Sequence, residues 1–217
     1  MKLKFQLSIA FVLSVIFLIG FSIMAFTISA YEFLNFDRAV ISFVQGLESP
    51  FLTTIMKVFT FIGSSSSIII LSLLVLFYLY KVLKHRLELV LFSAVVVGST
   101  LLNLILKLFF QRARPDLHRL IEIGGYSFPS GHAMNAFTLY GILTFLLWRH
   151  ISTMWGRTLL ILFSVMMILT IGISRIYLGV HYPSDIIGGY LASGCWLAIS
   201  IWVFQKYKES QKNKEVN

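Results

Sequence analysis

Three short clusters in this sequence hold the residue types that handling a phosphate ester requires. They are Lys107-x6-Arg114-Pro115, then Pro129-Ser130-Gly131-His132, then Ser174-Arg175-x5-His181-x3-Asp185. Together they gather three cations, two histidines, a carboxylate and a serine placed to start a helix. Cations and amide donors neutralise a phosphoryl group and the charge of its transition state. A neutral imidazole is a nucleophile, and a reference pKa of about 6.5 keeps much of it neutral near pH 7. A carboxylate behind the ring fixes its tautomer and stabilises the cation that forms. A second imidazole can protonate the leaving oxygen.

These groups sit in an apolar chain. Of 217 residues, 58% are hydrophobic and 12% charged, where a soluble domain carries about a quarter charged residues. One integral membrane domain spanning residues 1–217 is expected. Ionisable groups inside such a chain are costly and mark function. The net charge of +9 does not indicate nucleic acid, because Lys and Arg fall between and beyond the apolar segments and form no compact basic patch. The single cysteine, Cys195, has no internal partner for a disulfide.

The expected fold class is all-α, a polytopic bundle of six transmembrane helices with short interfacial helices between the first and second spans. A bilayer core needs roughly 20 apolar residues per crossing. The spans read as Phe5 to Tyr31, Phe61 to Tyr80, Leu87 to Phe110, Ser130 to Trp148, Thr158 to Tyr177 and Ser184 to Phe204. The first reads as a retained anchor, being too long for a signal peptide and lacking a small-residue cleavage site. Segment 31–60 carries Val40, Phe43, Val44 and Leu47, then Leu52, Ile55, Met56 and Phe59, at helical spacing. It reads as two interfacial helices, as a lid or as a lipid access gate. Segment 206–217 is a polar tail, expected to be disordered. Gly188, Gly189, Ala192 and Ser193 provide a small-residue face for helix packing.

With the N-terminus inside, eleven Lys and Arg residues lie on the inner side and seven on the outer side, three of those seven within the clusters. The positive-inside rule then places both termini in the cytoplasm of a multi-pass plasma-membrane protein. The clusters are separated by none or two crossings, so they share one face, the extracytoplasmic one. Ser130 suits an N-cap, Gly131 allows close approach to a ligand, and the helix start attracts an anion. Asp185 lies within reach of one nitrogen of His181. The outer histidines and acids show no metal-ligand spacing.

The three clusters and the six-span layout resemble the type 2 phosphatidic acid phosphatase superfamily, over essentially the whole chain. In size and layout the chain is similar to its bacterial phosphatidylglycerophosphatase B and undecaprenyl-diphosphate phosphatase branches. The resemblance implies that His181 is the nucleophile forming a phosphohistidine, that Asp185 orients it, and that His132 is the general acid. It implies that Lys107, Arg114, Ser130, Gly131 and Arg175 cradle the phosphate, with no metal and no cofactor. The implied partner is a lipid phosphate or diphosphate in the bilayer: phosphatidylglycerophosphate, undecaprenyl diphosphate or phosphatidic acid. Two alternatives stay open, a lipid phosphotransferase and a non-catalytic transporter of anionic lipids. Arg112, Arg119, His118 and Glu122 lie outside the signature, as headgroup contacts or as solvated loop or topology residues. His85 and His150 are expected to be bland inner residues, and Tyr31, Trp148 and Trp155 to form interfacial belts.

Overall fold

Local stop and start signals divide the chain into eight α-helices among the described residues. The computed structural model describes residues 2–29, 34–82, 84, 86–116 and 118–216. The helices are α1 (Lys2–Ser29), α2 (Leu34–Gln45), α3 (Pro50–Ile62), α4 (Ser65–Phe77), α5 (Arg86–Phe110), α6 (Gly131–Leu147), α7 (Met154–Tyr177) and α8 (Pro183–Val216). A π-helical turn, Tyr78–Val82, extends α4. Tyr31 and His85 fall outside the described residues.

Five helical segments are long and apolar enough to cross a membrane: Ile9–Ser29, Ser65–Val82, Arg86–Phe110, Met154–Tyr177 and Pro183–Lys214. They match the first, second, third, fifth and sixth expected spans. The fourth, α6, is apolar but only 17 residues long, about 25 Å at 1.5 Å per residue. It packs against α5, α7 and α8. Ala133, Met134, Ala136, Leu139 and Ile142 on α6 are buried, while Leu104, Leu108, Phe109, Leu159 and Leu162 on its neighbours face outward. Apolar residues therefore cover the outside of the bundle, as a bilayer requires. The polar groups turn inward.

Between the first two spans the expected helix pair is present. Its two members, α2 and α3, bend by 119° at the intervening turn. Ser49 caps α3 by accepting from the Leu52 amide at 3.3 Å, with Pro50 in the first turn. The inward face of α2 is Asp37, Ile41 and Val44, whereas Phe43 and Leu47 are exposed. The second span begins later than Phe61, because Gly63 ends α3 and Ser64 caps α4.

The tail differs from expectation more sharply. Residues 206–216 continue α8 as helix. Lys, Glu and Gln are good helix formers, and a helix already nucleated in the bundle extends through them at little cost. Gln211 Nε2 donates to the Tyr207 hydroxyl one turn back, at 2.9 Å.

The small residues of α8 serve packing within the chain. A Cβ at Gly188 would come within 2.3 Å of the Phe128 ring, and one at Gly189 within 3.0 Å of the Ser130 carbonyl oxygen. These contacts draw the start of α6 and the loop before it against α8. The α1 helix lies along the other side of α8, with Phe21, Met24 and Ile28 packed near Ile187 and Leu191.

Candidate active site

The three clusters converge where α5 ends, α6 and α8 begin, and α7 ends. Ser130 caps α6, its hydroxyl accepting from the Ala133 amide at 3.4 Å. The Ser130 amide donates to the Asp185 carbonyl oxygen at 3.1 Å, which ties the start of α6 to the first turn of α8. Asn103, on α5, donates to the Pro129 carbonyl oxygen at 3.2 Å. A Cβ at Gly131 would lie 3.2 Å from the Asn103 Oδ1, so this glycine admits a neighbouring side chain as well as leaving amides near the helix start. The first amides of a helix have no carbonyl partner of their own and present positive charge.

His181 lies in the short link between α7 and α8 and is 2% exposed. Its Nδ1 is 3.1 Å from the Asp185 Oδ2. Its Nε2 is 3.0 Å from the Arg114 Nη1. A guanidinium can only donate, so Nε2 must be the acceptor and Nδ1 must carry the proton given to Asp185. The ring is thus neutral, with a lone pair on Nε2. Burial pushes the His181 pKa down to about 4, against the opposing pull of Asp185.

The cations divide into two kinds. Arg114 is anchored by the loop it closes, donating through Nε to the Gly125 carbonyl at 2.9 Å and through Nη1 to the Val180 carbonyl at 2.8 Å. Lys107 Nζ and Arg114 Nη2 both donate to the Tyr126 carbonyl oxygen. Arg175, at the end of α7, is 1% exposed. Its Nη1 donates to the Thr60 hydroxyl, but its Nε and Nη2 have no partner although buried. Orphaned charged donors in an interior are costly and call for an anion. His132, half-buried, lies within electrostatic reach of Arg175, His181, Arg114 and Lys107. Every candidate residue of the three clusters therefore belongs to one neighbourhood.

Several contributors are absent from the clusters. Arg112 is no solvated loop residue: its Nη1 donates to the Asp185 Oδ1 at 2.6 Å and its Nη2 to the Asp37 Oδ2 at 2.9 Å. Thr60 receives Arg175, and a Cβ at Gly63 would stand 3.4 Å from the His132 ring. The α2–α3 pair thus reaches the site through Asp37, Thr60 and Gly63. A signal was present in the sequence, since Asp37 falls on the same helical face as Ile41 and Val44. By contrast, His118 pairs with Glu48 at 2.8 Å and is largely exposed. Arg119 donates to the Pro115 carbonyl at 2.7 Å, and Glu122 is exposed.

Known proteins resemble this chain in sequence and in fold. Residues 87–209 match the model of the PAP2 superfamily. Phosphatidylglycerophosphatase B of Bacillus subtilis is 32% identical over 175 residues, which cover 78% of this chain and 84% of that protein. Lipid A 4'-phosphatase of Bacteroides thetaiotaomicron is 29% identical over 183 residues, covering 75% of each chain. The fold superposes on the crystal structure of a transmembrane PAP2 type phosphatidylglycerolphosphate phosphatase from Bacillus subtilis. The TM-score is 0.76 at 28% identity, over 91% of this chain and 96% of that one. With the family match over more than half of the chain, the likeness to a relative over most of its length and the shared helical fold, the chain belongs to the PAP2 superfamily.

Proposed function

We propose that this membrane lipid phosphatase works through a phosphohistidine on His181 and needs no metal ion. The observation that carries this reading is the neutral His181, whose Nε2 lone pair faces Arg114 and whose ring lies within electrostatic reach of Arg175. A phosphate monoester entering there meets the two unpartnered nitrogens of Arg175, then the amides at the start of α6. Nε2 attacks phosphorus, the P–O bond to the lipid breaks, and His132 gives its proton to the leaving oxygen. Asp185 holds the Nδ1 proton and stabilises the charge that the ring acquires. Water, deprotonated by His132, then attacks the phosphohistidine and releases inorganic phosphate.

Lys107, Arg114, Ser130, Gly131 and Arg175 form the cradle in this scheme. Among the described residues, no three His, Cys, Asp or Glu side chains group as metal ligands would. The candidate substrates are lipid mono- and diphosphates such as phosphatidylglycerophosphate, phosphatidic acid and undecaprenyl diphosphate, whose tails stay in the bilayer. The Lys and Arg distribution favours an extracytoplasmic site with both termini inside. The whole chain acts as one domain.

The test is phosphate release by the purified chain in detergent with excess chelator, over a panel of lipid mono- and diphosphates. Release by the wild type and none by His181→Ala is the expected result. A phosphoenzyme trapped on His132, or release that chelator abolishes, would overturn the mechanism.

A further inference from the structure

Two charged residues outside the three clusters converge on the first turn of α8. Asp37 comes from α2 and is fully buried. Its Oδ1 accepts from the Ser184 amide at 2.9 Å, and its Oδ2 from the Ser184 hydroxyl at 2.6 Å and from Arg112 Nη2 at 2.9 Å. Arg112 forks from Asp37 to Asp185, and its Nη1 also donates to the Ser184 hydroxyl oxygen at 2.8 Å. The guanidinium lies 4.1 Å from the centre of the Tyr182 ring. On Asp185, Oδ1 accepts from Arg112 at 2.6 Å and from the Ser127 hydroxyl at 3.4 Å, and Oδ2 accepts from His181 Nδ1 at 3.1 Å and the Tyr182 amide at 2.9 Å.

Each contact bears on how His181 is held. The Asp185 carboxylate cannot rotate without giving up a bond at each oxygen. Arg112 fixes the oxygen that His181 does not use, and Asp37 fixes Arg112. Two buried carboxylates share one guanidinium, so the set keeps one negative charge facing the ring. That charge is what a phosphorylated imidazole needs opposite its Nδ1. A buried ion pair retained only for stability could be replaced by apolar side chains at little loss.

We propose that Arg112 and Asp37 are positioning residues for the reaction, locking Asp185 so that His181 keeps its proton on Nδ1 and its lone pair on Nε2. This rests on the assignment of His181 and Asp185 made above. It makes α2 part of the catalytic framework, with Asp37 bracing one end of the site while Thr60 of α3 braces Arg175. The charged and titratable groups around Asp185 are His181, Arg112, Asp37 and Tyr182, with Lys107 and Arg114 acting at longer range.

The full chain is purified in detergent as wild type, Arg112→Gln, Arg112→Lys, Asp37→Asn and the Arg112→Gln/Asp37→Asn double variant. Each is assayed on short-chain phosphatidic acid micelles for kcat, KM and the pH profile of kcat/KM, with its thermal midpoint recorded. Arg112→Gln should lower kcat about a hundredfold with KM little changed, and Asp37→Asn about tenfold. Arg112→Lys should fall between wild type and Arg112→Gln, since an ammonium cannot fork to both acids. Loss of the Arg112 cation favours protonation of its neighbours, so the acid limb of Arg112→Gln should move up by about one pH unit. The double variant should be no worse than Arg112→Gln, because the pair acts as a unit.

Wild-type kcat in Asp37→Asn and Arg112→Lys would overturn the proposal. So would losses that track the thermal midpoint while the acid limb stays in place. If Arg112→Gln does not fold, those two milder variants decide the question. Activity retained by His181→Ala in the same assay would instead remove the underlying assignment. An inactive His181→Ala beside fully active Arg112 and Asp37 variants would remove only the positioning role.

Discussion

Helix α5 carries a charged cluster at each end, and the two are built differently. At its first turn Glu88 is buried and its Oε1 accepts from both Arg149 at 2.7 Å and Lys208 at 2.9 Å. Those two cations are 41% and 38% exposed in their side chains, so solvent satisfies what Glu88 does not. At its last turn Lys107 opens onto a cluster whose members are buried or half-buried and whose Arg175 keeps two unpartnered nitrogens. The first cluster closes on itself and clamps α5, the turn after α6, and α8 together. The second leaves donors open, where the proposed mechanism seats an anion. Unmet polar demand in the interior, rather than charge itself, separates the cluster proposed as functional from the structural one.

Substitutions at the two ends should therefore split activity from stability. His181→Ala should give the largest effect, lowering phosphate release about ten-thousandfold or more and removing the labelled phosphoenzyme. Arg175→Met should lower kcat by about two to three orders of magnitude. Its thermal midpoint should hold or rise, because a buried charge with unpartnered donors is gone. A fall in the midpoint matching the loss of activity would erase the contrast between the clusters.

The pH profile sharpens the same point. In the proposed mechanism the reacting form of His181 is neutral, and burial lowers its pKa from 6.5 to about 4. Activity is lost as His181 takes a proton, so the acid limb of kcat/KM that this ring sets should lie near pH 4 and not at the usual imidazole value. An acid limb at the usual imidazole value would show that solvent reaches the ring. The smallest effect is expected at the other end of α5. Glu88→Gln should lower stability by about 1 kcal/mol, since its partners are partly solvated, and leave kcat within about twofold. A large loss of turnover there would mean that the two ends of the bundle are coupled.

Spacing and hydropathy are local properties, and they carried most of what could be read from the chain. The runs of α1, α5 and α7 announce membrane helices because a bilayer core sets a minimum apolar length. Lys107, Arg114, His132, Arg175, His181 and Asp185 point to phosphate chemistry because their residue types are those that the proposed steps need. Asp185 four residues after His181 was enough to expect their bond, now seen at 3.1 Å. The tail beyond Lys206 is helical where its composition predicts disorder, because composition alone does not tell whether a helix already formed upstream will continue.

Only the tertiary structure could supply contacts between distant segments. Arg112 and Asp37 stand 75 residues apart, and Thr60 and Arg175 stand 115 apart. No periodicity links such pairs, because their meeting depends on how α2, α3, α7 and α8 pack. The tautomer of His181 was equally out of reach, since it follows from Arg114 facing one nitrogen and Asp185 the other. The amino-acid sequence by itself determined which groups are present and which lie on one membrane face, because both follow from residue type and apolar length. Packing decided which donors are met and which stay open, because hydrogen-bond satisfaction in an interior is set by neighbours brought from elsewhere in the chain.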